Sequence, residues 1–214
     1  MKKTILIVAV AILATGIFTA CKSNEPSGGT DNDNNTPAKI GILINGVVWA
    51  PYNVGATGKF VAKPEDYGGY YQWNRKDTAN FLLSADYNAS EFAKATAWLP
   101  ENDPSPAGWR VPTSAELETL LDTAKVTYEW TTENGINGCR FTDKATGKSI
   151  FLPAAGLRDG SDGDGALYYV GIEGEYWSSK EMNSNSAWYF YLADGIGLTY
   201  YKKSYGYCVR PVAK

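Results

Sequence analysis

"AWYFYLADGIGLTYYKKSYGYCVRPV", residues 187–212, carries six tyrosines with a single Trp and a single Phe. Trp188, Phe190 and Leu192 alternate with Tyr189 and Tyr191, the period-two spacing of a β-strand. By residue type the first set is a core face. The second is amphipathic, with apolar rings and polar hydroxyls, and suits a wet surface or an interface. Asp194-Gly195 supplies a turn, after which Leu198 to Tyr201 return as the partner strand. "GYCVRPV" (206–212) reads as a last strand, with Pro211 marking an edge or a strand end.

Working outward, strand signals dominate. "IGILINGVVWAPYNV" (40–54) reads as two short strands around Asn45-Gly46, a strong hairpin dipeptide. "GGYYQWNR" (68–75) is a short aromatic segment opened by paired glycines. Strand-like stretches at 137–143 and 148–154 are joined by Lys144-Ala145-Thr146-Gly147, a hairpin turn. Helices are expected at two places. Thr113-Ser114-Ala115-Glu116 forms a capping box, and Leu117, Leu120, Leu121 and Ala124 follow at helical spacing. "EFAKATAWL" (91–99), stopped by Pro100, reads as a second helix. The expected class is α+β: small antiparallel sheets, two helices and long loops.

Composition narrows the chemistry. The 214 residues include no histidine, which removes the commonest general base and metal ligand. Ser-His-Asp and Cys-His catalytic arrangements are excluded, as are His-containing zinc sites. A net charge of −3 gives no basic footprint for nucleic acid. Fifteen Tyr, seven Trp and 22 Gly suit short strands, tight turns and an amphipathic surface.

The beginning of the chain reads as an address. Lys2 and Lys3 precede an apolar run from Ile5 to Phe18, of signal-peptide length. "FTAC" (18–21) resembles a bacterial lipobox, with Phe18 in place of the usual Leu, so residues 1–20 are expected to be cleaved and Cys21 lipidated. Acyl chains, at ~0.8 kcal/mol per buried methylene, would hold the protein to a membrane. Residues 21–38 are polar and rich in Gly, Asn, Asp and Pro, a flexible tether. Residues 39–214 form one domain, without internal repeats.

"GVVWAPYNVGATG", "GGYYQWNR", "PAGWRVPTSAEL", "FLPAAGLRDGSDG", "EYWSS" and "GYCVRPV" occur in that order. Together they resemble the Fibrobacter succinogenes major paralogous domain, a family of bacterial surface lipoproteins. More specifically, they are similar to members serving as variable proteins of diversity-generating retroelements. The resemblance implies a C-type lectin-like fold, also shared by formylglycine-generating enzymes. It further implies that the segment from Tyr176 to Val212 holds ligand-facing residues altered by adenine-directed mutagenesis. Asn, Ser, Tyr, Asp, Ala and Thr all arise from an Asn codon by changing its adenines. Ser105 stands where a cysteine is frequent in the family, and Cys208 where a serine is frequent.

The tyrosines then have a purpose. Tyr offers a large, rigid, amphipathic contact for few frozen torsions. Tyr189, Tyr191, Tyr200, Tyr201 and Tyr205 are the expected patch within 189–205, with Asp194, Lys202 and Lys203 contributing charge. Trp177, Trp188, Phe190, Val209 and Arg210 are assigned to its support. The expected partner is a protein or glycan on a cell, host or phage surface, with the protein lipid-anchored in the cell envelope, outer membrane and surface-exposed. No cofactor, metal or catalytic residue is expected. A non-diversified structural or fimbria-associated envelope lipoprotein is the alternative, and an exported enzyme of the formylglycine-generating type ranks below it.

Three constellations stay outside this reading. Asp159, Asp162 and Asp164 in "RDGSDGDG" (158–165) fail the EF-hand spacing. Glu173, Glu175, Glu181 and Asp194 would allow a carboxylate pair for glycoside hydrolysis, but no spacing rule selects one. Cys139 and Cys208 are either a disulfide, in an exported chain, or two small buried residues.

Overall fold

Asn45 and Gly46 both adopt positive φ (43° and 81°), the backbone of a two-residue hairpin turn whose twist matches the strands it joins. They connect β1 (Ile42–Ile44) to β2 (Val47–Trp49) in the register Ile42↔Trp49. The computed structural model describes residues 41–161, 165–193 and 195–214. The expected leader 1–20, the expected lipidation site Cys21 and the expected tether 21–38 lie outside the described residues, as do Asp162, Asp164 and Asp194.

Strands carry the architecture. After β3 (Tyr71–Gln72) and β4 (Trp109–Arg110) come two meanders. The first is β5 (Val126–Glu133), β6 (Ile136–Asp143) and β7 (Ser149–Pro153); two short strands, β8 (Leu157–Arg158) and β9 (Leu167–Tyr168), follow it. The second meander is β10 (Gly174–Asn183), β11 (Ser186–Leu192) and β12 (Ile196–Lys202), and the chain closes with β13 (Gly206–Tyr207) and β14 (Val212–Ala213). They assemble into four small sheets, ordered β1-β2-β14-β4, β5-β6-β7, β10-β11-β12 and β3-β13-β8-β9, with every strand pairing antiparallel.

The α+β expectation with two helices is therefore corrected. The α-helices among the described residues are α1 (Ser84–Ala89), α2 (Glu91–Lys94) and α3 (Ser114–Glu118), none longer than two turns. The capping box does start α3: Glu116 N donates to Thr113 Oγ1 (3.2 Å) and Thr113 N donates to Glu116 Oε2 (2.8 Å). The run tightens into a 3₁₀ turn at Thr119–Leu121 and ends, because the Asp122 carboxylate takes the Ala124 N–H (3.0 Å). Leu117 and Leu120 are buried as expected, but Ala124 is exposed. The helix expected at 91–99 stops at Lys94. Beyond it Trp98 N donates to Ser179 O (3.0 Å), so the segment lies extended beside β10 and tertiary pairing overrides helical spacing.

The expected last strand, 206–212, is split between two sheets. β13 pairs with β3 and β8, whereas β14 inserts between β2 and β4. Residues 209–211 run beside 50–54, with Ala50 N donating to Pro211 O (2.8 Å) and Val54 N to Val209 O (3.0 Å). Cys139 and Cys208 are free thiols buried in the larger core cluster, which settles their two readings in favour of separate packing.

Arg210 is wholly buried at this junction. Its Nε donates to Asn53 Oδ1 (2.7 Å), one terminal nitrogen to Pro51 O (2.8 Å) and Ala50 O (3.2 Å), and the other to Phe151 O (2.8 Å). Desolvation lowers its pKa to about 10, an effect that the nearby Tyr176, Cys208 and Glu133 offset only in part. Arg210→Leu would strand these acceptors in the core. We expect a loss of ~3 kcal/mol or more, seen as a lowered urea midpoint.

Candidate functional site

The second meander and the strands beside it enclose a cleft of about 330 Å³. β11 contributes Tyr189, β12 contributes Tyr201, and Tyr205 and Tyr207 come from the start of β13 and the turn before it. The opposite wall is Leu157 of β8, Asp159 just after it, and Tyr168 and Tyr169 at the end of β9. Glu173 and Glu175, where β10 begins, complete the lining. A second hollow of about 380 Å³ shares Glu173, Glu175 and Tyr189 and extends to Tyr191, Leu198 and Thr199.

The rings form a continuous column from core to surface. Trp177 packs on Tyr207 (4.2 Å between centroids) and Tyr207 on Tyr189 (4.7 Å), while Tyr205 meets Tyr201 edge to face (4.8 Å). The base is pinned, since Trp177 Nε1 donates to Tyr71 O (2.7 Å). Gly160 sets the far wall: a Cβ there would overlap the Ser204 carbonyl, so only glycine lets the loop bearing Asp159 approach Tyr205.

Two carboxyls behave differently. Asp159 is held below its ordinary value first by the Ser161 backbone N–H, with help from Tyr205 and Lys202. Glu175 is only 4% exposed, and its Oε2 has no hydrogen-bond partner. Burial pushes its pKa up to about 8, and the neighbouring Glu173 carboxyl adds repulsion and a hydrogen bond that favour the protonated form.

Family comparison bears on this arrangement. A family model, the Lcl C-terminal domain, matches residues 65–213, which include every residue lining the cleft. The chain belongs to the Lcl C-terminal domain family. That membership fits the expected likeness to variable, C-type lectin-like proteins of diversity-generating retroelements. Neither the curated proteins nor the solved structures return a match to the chain.

Within this Lcl C-terminal domain the expected site residues separate. Tyr189, Tyr201 and Tyr205 meet in the cleft and Tyr191 in the adjoining hollow. Tyr200 is exposed but faces the other side of β12, where it meets Trp188 edge to face (5.5 Å). Trp188 is half-buried there, outside the core cluster that holds Phe190 and Leu192. Lys202 is exposed at the end of β12.

Lys203 is a correction: it is 1% exposed and cannot offer a surface charge. Its Nζ donates to Glu181 Oε2 (2.9 Å), Ala95 O (3.1 Å) and Ala93 O (3.2 Å), and lies 4.5 Å above the Trp73 ring. Alternation along β12 ends at Lys202, and the turn that follows directs Lys203 inward.

Tyr168, Tyr169, Glu173, Glu175 and Tyr207 were absent from the expected binding patch. Strand alternation could have placed Tyr207 with Tyr205, but no local pattern in 157–175 announces that this segment returns to face β11. Of the acidic groups considered for a pair, Glu173 and Glu175 do come together, whereas Glu181 is engaged by Lys203. Among the described residues no group of three or more Cys, Asp or Glu side chains is arranged to hold a metal ion.

Two outcomes follow. Lys203→Met leaves Glu181 and two buried carbonyls without a donor, and should lower stability by ~3 kcal/mol, while Lys202→Met changes it by under ~0.5 kcal/mol, both read from denaturant unfolding. Glu175 keeps its proton more tightly when folded, so its contribution to stability is complete below pH 4.5 and is lost as pH rises through about 8. Glu175→Gln should flatten that decline and leave the variant more stable than the parent above pH 8 in a thermal-unfolding series.

Proposed function

We propose that this protein is a lipid-anchored, surface-exposed receptor that binds its ligand non-covalently through the tyrosine cleft. In this reading Tyr189, Tyr191, Tyr201 and Tyr205 are the diversified part of the face. Tyr168, Tyr169 and Tyr207 are its constant wall, and Cys21 is the anchor. The six ordered motifs support membership of the Fibrobacter major paralogous type within the Lcl domain family.

The observation that carries the reading is geometric. Residues far apart in the Tyr176–Val212 window converge on one cleft, and that window is where the family resemblance expects variation. A binding face built to change needs positions whose side chains leave the core intact, and Tyr201, Lys202 and the rim of Tyr205 meet that condition. The buried Lys203, Tyr207, Val209 and Arg210 do not.

The test begins with the DNA around the gene. A near-copy of the segment encoding Tyr176–Val212 should differ from it only at adenines, at codons for Tyr189, Tyr191, Tyr201, Lys202 and Tyr205. It should spare Lys203 although lysine codons are adenine-rich. Differences concentrated at buried positions would contradict the face, and absence of any copy would favour a fixed envelope protein. With a ligand in hand, Tyr201→Ala and Tyr205→Ala should each weaken binding by ~2 kcal/mol, measured by calorimetry.

A further inference from the structure

The cleft is one-sided in charge. Asp159, Glu173 and Glu175 line it, the rest of the wall is tyrosine and Leu157, and no described lining residue is basic. Lys202 acts on Asp159 and offsets part of that charge, but no basic group among the described residues acts on Glu175. Glu175 is nearly fully buried at the floor with Oε2 unpartnered. Buried polar atoms in folded proteins are nearly always paired, so an unpartnered carboxyl oxygen on a residue that lines the cleft points to a donor that arrives with the ligand.

We propose that the cleft receives the guanidinium of an arginine side chain from a partner protein, with Glu175 and Glu173 accepting its N–H donors and the tyrosine rings stacking against it. This rests on the cleft being the ligand face. The chemistry selects the group in three ways. A phosphate, sulfate or carboxylate would meet like charge. A neutral hydroxyl offers a single donor and no compensation for burying an ionised Glu175. A guanidinium is planar, presents a fork of donors that fits carboxylates, stacks on aromatic rings and gives up less hydration than an ammonium. About 330 Å³ accommodates one such side chain, whose methylenes would lie along Tyr168 and Tyr169.

Binding is then linked to a proton. Glu175 is faced by Glu173, Tyr70, Tyr176, Tyr189, Tyr207 and Cys208. Burial holds each of those phenols and the thiol above its ordinary value, so none of them gains charge near neutrality. Entry of the cation stabilises the Glu175 carboxylate, and its proton leaves to solvent. Affinity therefore rises from about pH 6 to about pH 9.

The test titrates the full-length protein with N-acetylarginine amide and with its neutral isostere N-acetylcitrulline amide, followed by two-dimensional amide NMR. We expect the arginine probe to bind at least ~10-fold more tightly, to shift the amides of Tyr189, Tyr201 and Glu175, and to lose ~10-fold or more in Glu175→Gln. Equal binding of the two probes overturns the proposal, and that comparison needs no variant to fold. Tighter binding of N-acetyllysine amide or glucosamine than of the arginine probe also overturns it, in favour of an ammonium ligand. If the arginine probe fails while the varied codons still map to the cleft, the guanidinium assignment falls and the receptor reading stands. If it binds while those codons map elsewhere, the guanidinium site stands and the variable-face reading falls.

Discussion

Arg210 joins three parts of the chain that are distant in sequence. Its guanidinium gathers carbonyls of Ala50, Pro51 and Phe151 and the Asn53 amide, so the segment after the first hairpin, the end of the first meander and the C-terminal segment share one buried hub. A buried cation whose hydrogen bonds all go to neutral acceptors is tolerated only because these acceptors replace its lost hydration. Their geometry also fixes where residues 205–209 run. That path threads β13 between β3 and β8 and sets Tyr205 and Tyr207 against Tyr189.

From that hub outward, scaffold and cleft share side chains. Tyr207 is buried and packs on Trp177, yet it also lines the cleft. Tyr205 takes the next step toward solvent and Tyr201 the last. Such grading lets the outer residues change while the inner ones hold position, since a side chain at the end of β12 has neighbours on one side only. Lys203 shows the reverse: one residue past exposed Lys202, it is tied to Glu181 and two backbone carbonyls, and serves the scaffold.

Local chemistry was readable wherever it acts over a few residues. The Asn45-Gly46 turn, the Thr113–Glu116 capping box, the 144–147 turn and the alternation in residues 187–192 all rest on backbone geometry or period-two burial. β5 went unread because its burial does not alternate: after Val126 most of its side chains are exposed, which leaves no core stripe to detect. Both helix expectations ran too long for a related reason. Apolar spacing marks which residues are buried, but Asp122 and the Trp98–Ser179 pairing decide where the helical backbone stops.

The chain alone established what chemistry is available: no histidine, an acidic balance, an abundance of tyrosine and a phenol-rich C-terminal hairpin. It also placed that hairpin within a recognisable domain family. Which phenols line the cleft and which carboxyl is stripped of water was decided only when Leu157, Asp159 and residues 168–175 came to face β11. Burial and desolvation depend on neighbours remote in sequence, and Glu175 is the clearest case. As one of many acidic residues it carries no distinguishing pattern, yet enclosed beside Glu173 with an unpaired oxygen it becomes the most perturbed carboxyl in the cleft.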